Sequence, residues 1–177
     1  MNLFIKTGLL FVCIGFSHIG YAALTELARI NVELFGEVTT STCGVLESEQ
    51  HKYIDLGVHS IKSLNGVGTK TKPVPIPFTL SNCHPNSPIT LTFSGTRDVS
   101  NPEFLALESL PNMAKNVAIE LLDHDKKRLP LNTKSQTLTA DQDGRIVTNF
   151  YANYIVTRDS VTPGVANANA QFTIQYD

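Results

Sequence analysis

The chain has 177 residues, a formal charge of −2, 17% charged residues and no tryptophan. That length holds a single domain with an adequate core. The mild charge argues against the broad basic face that nucleic acid or an anionic membrane would require.

The first segment reads as a secretory signal over residues 1–22. Lys6 supplies the positive start, Leu9 to Phe16 the apolar stretch, and Gly20-Tyr21-Ala22 the small residues before the cut. The apolar run is too short for a membrane anchor, and no charged stop-transfer cluster follows it. Cleavage after Ala22 removes Cys13 and leaves Cys43 and Cys83. An even cysteine pair in an exported chain is read as one disulfide. In the chain-entropy model, closing so long a loop contributes roughly 4 kcal/mol.

Next, Ile30, Val32, Leu34, Gly36 and Val38 alternate with Asn31, Glu33, Phe35, Glu37 and Thr39. A period of two with one apolar or small face predicts a strand. Further strands are expected over 53–58, 76–80, 88–93, 116–122, 128–131, 135–139 and 145–157. Turn signals separate them: Asn65-Gly66, Pro85-Asn86, Asp123-His124-Asp125, Asp143-Gly144 and Pro163-Gly164. No helical stripe exceeds about two turns. Many short strands with this spacing predict an all-β sandwich or barrel.

The last stretch alternates most strictly. Ala168, Ala170, Phe172, Ile174 and Tyr176 share one face, and Asn169, Gln171, Thr173 and Gln175 the other. With the chain expected to stop at Asp177, no later segment would pair with this strand's free edge. An earlier strand or another molecule must then cover it, because bare edges invite association.

Motifs for chemistry are weak. Gly66-Val67-Gly68-Thr69-Lys70-Thr71 lacks the spacing of a phosphate loop, and Pro73-Val74-Pro75 replaces the helix such a loop needs. Asp141-Gln142-Asp143-Gly144 imitates the start of a calcium loop but lacks its bidentate Glu, so a hairpin turn is the expectation. His51, His59, His84 and His124 show no metal-ligand spacing. No Gly-x-Ser-x-Gly elbow occurs. Asp123 and Asp125, beside Lys126-Lys127-Arg128, read as a solvated hairpin tip. Neither catalysis nor a cofactor or metal is expected.

Taken in order, the fragments resemble the pilin subunits of bacterial chaperone–usher fimbriae, of the type 1 and P pilus kind. Those that carry the resemblance are Gly36-Glu37-Val38 before Cys43, Ile54-Asp55-Leu56-Gly57 and Phe78-Thr79-Leu80-Ser81-Asn82-Cys83. Thr90-Leu91-Thr92-Phe93-Ser94-Gly95, Asn116-Val117-Ala118-Ile119-Glu120-Leu121 and Phe150-Tyr151-Ala152-Asn153-Tyr154 continue it. Thr162-Pro163-Gly164 and the penultimate Tyr176 complete it. The resemblance covers essentially the whole mature chain.

It implies an incomplete immunoglobulin-like β-sandwich that lacks its last strand. It divides the chain into a signal peptide at 1–22, a donor-strand extension at 23–39 and a pilin domain at 40–177. A groove is expected beside the terminal strand, edged by Ala170, Phe172, Ile174 and Tyr176. The implied partners are a periplasmic chaperone, an outer-membrane usher and neighbouring pilin subunits. The chaperone would fill the groove first. The extension of the next subunit, presenting Ile30, Val32, Leu34, Gly36 and Val38, would replace it by strand addition. The implied role is a structural subunit exported through the periplasm to a surface fimbrium. A minor adaptor or terminator is the alternative within the family. A sugar-binding tip adhesin would need a lectin domain for which this length leaves no room.

Overall fold

Along most of the chain, residues that alternate in sequence become paired strands. The computed structural model describes residues 43–45 and 50–176, and these contain seven strands. They are β1 (Gly44–Val45), β2 (Val74–Ser81), β3 (Pro88–Gly95), β4 (Val117–Leu122), β5 (Leu138–Thr139), β6 (Ile146–Val156) and β7 (Ala170–Tyr176). One short 3-10 turn, Ile61–Ser63, precedes β2. The expected signal at 1–22 and the extension carrying Ile30, Val32, Leu34, Gly36 and Val38 lie outside the described residues.

The strands form two antiparallel sheets, one in the order β1-β2-β6-β4 and the other in the order β5-β3-β7. Their apolar faces meet in one core. The first sheet contributes Ile76, Phe78, Leu80, Ile119, Leu121, Phe150 and Ala152, and the second Ile89, Leu91 and Phe93. Four phenylalanines form its centre. Phe78 meets Phe93, Phe150 and Phe172 edge to face at 6.0, 5.5 and 4.9 Å. Each such pair adds about 0.5–1.5 kcal/mol beyond its burial. Cys43 and Cys83 are joined by a disulfide that closes a loop of 40 residues and ties the start of β1 to the end of β2. At the neighbouring hairpin Gly144 has φ +69°, and a Cβ there would collide with the Cys83 carbonyl oxygen. Glycine suits that position on both counts.

Strand β4 departs from the half-buried pattern that its alternation suggests, since all six residues are buried. Its outer face is covered as well. Phe104 packs there against Ala118 and Ile155. Leu105 and Ile119 exchange both backbone hydrogen bonds at 2.9 Å, which fastens the 97–106 loop across the sheet edge.

Four expected boundaries shift. Strand β2 begins at Val74, earlier than expected, and so takes in Pro75 as well as Pro77; β1 pairs only with Leu80 and Ser81, so among the described residues this part of β2 has β6 alone as ladder partner and can spare the missing N–H groups. Segment 128–131 forms no strand: it makes the bridge Leu122↔Arg128, the bond from Leu129 N–H to the Leu121 carbonyl and the bond from Leu131 N–H to the Glu103 carbonyl. The expected strand over 135–139 shortens to Leu138–Thr139, because the Ser135 hydroxyl takes the bond from Leu91 N–H that a ladder carbonyl would otherwise accept. Segment 53–58 forms no strand. Its burial alternates, with Ile54 and Leu56 half-buried and Tyr53 fully exposed at 100%.

Candidate functional site

The terminal alternation builds one side of an open groove. Strand β7 pairs with β3 along its whole length, in the register Gly95↔Ala170, Phe93↔Phe172, Leu91↔Ile174 and Ile89↔Tyr176. Partners on β3 are deeply buried, with Ile89 and Leu91 at 0% exposure. On β7, by contrast, Phe172 and Ile174 are only half-buried, and Ala170 and Tyr176 are exposed. The difference is one of covering, not of chemistry. Both strands carry an apolar inward face, but β3 lies between β5 and β7, whereas β7 has β3 on one side only among the described residues.

Beside that bare edge lies a groove of about 940 Å³. Its floor is the edge of the core: Ile76 and Phe78 from β2, Phe93 from β3, Ile119 and Leu121 from β4, and Ala152 from β6. Ala170, Phe172, Ile174 and Tyr176 line it from β7. The extended segment 52–56 lines it too, through Lys52, Ile54 and Leu56. Among the described residues, the backbone of 53–55 bonds to no other strand. The groove therefore has an apolar floor and two stretches of backbone without ladder partners.

Its ends are held. At the disulfide end, the Tyr176 hydroxyl donates to the Cys43 carbonyl at 3.0 Å, so the last turn of β7 is tied to a residue that the disulfide also fixes. Along segment 52–59, Gly57 takes φ +81° and its N–H donates to Asp55 Oδ1 at 2.8 Å. The His59 ring bonds the Leu56 carbonyl at 2.8 Å and meets the Tyr154 ring edge to face at 5.8 Å. Burial raises the pKa of the Tyr154 phenol, and the Asp55 carboxylate nearby raises it further. The phenol stays protonated and donates to the Ala166 carbonyl at 2.9 Å, which fixes the approach to β7.

No cluster of three or more His, Cys, Asp or Glu able to hold a metal occurs among the described residues. The hairpin expected at 123–128 is present, but Asp123 is not solvated: it is buried and accepts from His124 N–H at 2.7 Å and from Gln136 N–H at 2.7 Å, while Lys127 pairs with Asp125 at 2.6 Å. The groove can bind an extended apolar peptide by completing both bare backbone edges while its side chains enter the floor. Sequence reasoning placed β7 and its inward residues but did not assign segment 52–56 to the groove. The usable signal was the alternation of Lys52, Ile54 and Leu56 in a stretch that ends at a turn glycine.

Comparison with known proteins agrees with this geometry. The model of the fimbrial protein family matches residues 32–177. The chain is 39% identical to the fimbrial-like protein FimF of Salmonella typhimurium over 165 residues, covering 93% of this chain and 94% of that protein. Its fold is similar to the crystal structure of the Burkholderia pseudomallei antigen and type I fimbria protein BPSL1626. The TM-score is 0.60 at 29% identity, over 78% of this chain and 91% of that one. It is also similar in fold to a chain from a solved structure of a chaperone–usher pilus. There the TM-score is 0.65 at 20% identity, over 88% of this chain and 100% of that one.

Proposed function

The chain belongs to the fimbrial protein family, and from that membership we propose that it is a structural subunit of a chaperone–usher fimbria, polymerising by strand donation and supporting bacterial adhesion. The observation that carries the reading is the groove beside β7: an apolar floor flanked by the outer side of β7 and by segment 53–55, neither of which has a ladder partner there among the described residues. The sandwich lacks one strand, and the missing piece comes from outside the domain.

Residues 23–39 are the proposed donor. Ile30, Val32, Leu34, Gly36 and Val38 enter a neighbour's groove, and this chain's groove accepts the corresponding extension of the next subunit. If three of those side chains bury fully, each contributes on the order of 1.5–3 kcal/mol before the costs of ordering. The contact is heterologous. It does not close on itself, so repetition produces a filament. Before assembly a periplasmic chaperone occupies the groove, and an outer-membrane usher is where donation replaces it. The route is export through the periplasm to a surface fimbrium, with residues 1–22 removed on the way.

Electron microscopy of cells tests the role. Cells without this chain should show absent, shortened or bare-tipped fibres. Cells that make it without residues 23–39 should show the same defect, because the shortened chain accepts a strand but donates none. Normal fibres in both strains would contradict the proposal.

A further inference from the structure

Asn65 and Gly66 form the one Asn–Gly pair in the chain. Both are exposed, in the loop that leads from the 3-10 turn to β2. The side-chain amide carbon of an Asn lies within reach of the next residue's backbone nitrogen, so a reaction between them is intramolecular. A glycine at the second position removes the side chain that would block the approach. Gly66 has φ +92°, and a Cβ there would meet nothing within 4 Å, so the space around it is open. The loop's own bonds leave the reacting atoms free. Thr69 N–H donates to the Gly66 carbonyl at 3.2 Å, and the Thr69 hydroxyl donates to the Asn65 backbone carbonyl at 2.7 Å. The Gly66 N–H and the Asn65 amide make no hydrogen bond among the described residues. Two comparable pairs are held instead. Gly144 follows Asp143 but is buried, and its N–H donates to the Asp141 carbonyl at 3.1 Å. Ser87 follows Asn86, and its N–H donates to the His84 carbonyl at 3.0 Å.

We propose that Asn65 is a site of spontaneous deamidation in the folded protein. The Gly66 nitrogen bonds to Asn65 Cγ, the side-chain amide leaves as ammonia with the Gly66 proton, and a succinimide remains. Water then opens the ring. Addition at Cγ gives Asp. Addition at the Asn65 backbone carbonyl carbon gives an isoaspartyl link, which carries the main chain through the side chain and lengthens it by a methylene. The step consumes only water. Either product adds a negative charge to the loop, and the isoaspartyl form also takes the Asn65 carbonyl away from the Thr69 hydroxyl. The change stays local, because the loop is fastened just beyond it. Gly68 N–H donates to the Val156 carbonyl, Val156 N–H to the Thr69 carbonyl and Thr71 N–H to the Tyr154 carbonyl, at 2.9, 2.9 and 3.0 Å. None of residues 65–69 lines the groove, so the modification leaves the strand-accepting surface as it is.

The test ages the mature chain, purified from the periplasm, in mildly alkaline buffer with and without urea, and then digests both samples with trypsin. Cleavage after Lys62 and Lys70 releases Ser63–Lys70, in which Asn65 is the one amide side chain. In the folded chain this peptide should convert to two acidic products of equal mass, separable by elution, at the rate seen in urea. Asp143 should isomerise, and Asn86 deamidate, in urea only. Their protection shows in the same sample that the fold persisted. Asn65→Gln should lose the products over the same period, because its amide would have to close a larger and slower ring. Conversion of Asn65 in urea but not in the folded chain would mean that the fold protects it, and no conversion in either would mean that the pair is unreactive. Both results overturn the site. Equal reaction at Asn65, Asn86 and Asp143 in both samples would overturn it as well, since the structure would then single out none of them.

Discussion

Glu120 is fully buried at 0% exposure on the outer face of β4, yet it remains an acceptor of charge-assisted bonds. Lys70 Nζ and Arg128 Nε each donate to its Oε1 at 2.8 Å, and Asn153 Nδ2 reaches Oε2 at 3.3 Å. Arg128 also pairs with Glu103 at 3.1 Å and lies over the Phe104 ring. Burial alone would raise the Glu120 pKa, but the bonds from Lys70 and Arg128 outweigh it and hold the carboxyl below its ordinary value of 4.5. The cluster ties loop 66–72, β4, the 123–128 hairpin and the 97–106 loop to one point. Glu120→Gln keeps the shape and removes the charge. It should destabilise the domain at neutral pH by about 1–3 kcal/mol, less than for a fully enclosed pair because both cations are partly exposed. The sign with pH follows from the depressed pKa. The carboxylate's contribution is complete above the unfolded-state value and is lost as pH falls through the lower folded-state value. Denaturation midpoints of wild type and variant should therefore differ at pH 7 and converge below about pH 4. A constant gap across that range would show that the ion pairs contribute nothing. Nothing in the sequence singled out Glu120, because a strand reading places it on a polar outer face. Only the loops folded over that face, distant in sequence, make it buried.

Strands were legible where an alternating segment has at least one long ladder partner among the described residues. β3, β4, β6 and β7 follow their period-2 patterns to within two residues of the expected ends. Segment 53–58 has the same kind of sequence and has no ladder partner among the described residues, which no local pattern could reveal, since pairing depends on what lies beside it. Pro73-Val74-Pro75 reads as a break in the chain, but Pro75 sits inside β2. A proline withholds a donor from one side only, so an edge tolerates it and is blunted by it. The groove edge of β7 has no proline and keeps every donor from Ala170 to Tyr176. At this scale the disulfide matters most for the groove, because Cys43 holds both the Cys83 bond and the Tyr176 hydroxyl. Replacing Cys43 or Cys83 by Ser should cost roughly 4 kcal/mol of stability through regained loop freedom in the unfolded chain. That is a large part of a typical domain stability of about 5–15 kcal/mol. Folded yield from the periplasm should fall accordingly. Mass spectrometry of unreduced peptides should find the Cys43–Cys83 link in the folded wild type, and free thiols there would remove the argument.

For the molecule as a whole, the central claim is that one strand is missing and that the N-terminal extension of a neighbouring subunit, the counterpart of residues 23–39 here, supplies it. All-β architecture, the two-sheet core and the position of the groove edge could be read from alternation, turn signals and the fimbrial resemblance. Groove depth and the wall at 52–56 could not, because they arise from how two sheets fail to meet. The most direct measurement supplies the strand within the same chain. A copy of Glu26–Thr39 appended after Asp177 through a flexible linker faces its groove at an effective concentration of about a millimolar. Thermal melts and sizing of three proteins decide the matter: the mature chain, the chain with the appended copy, and that chain with Asp at the position of Val32 or Leu34 in the copy. The mature chain should be poorly stable or self-associated, and the appended copy should give a stable monomer that no longer polymerises. The Asp variant should lose that gain, since an unpaired charge in the groove costs several kcal/mol. A mature chain that is already a stable monomer and gains nothing from the copy would mean that the sandwich is complete, contradicting the account.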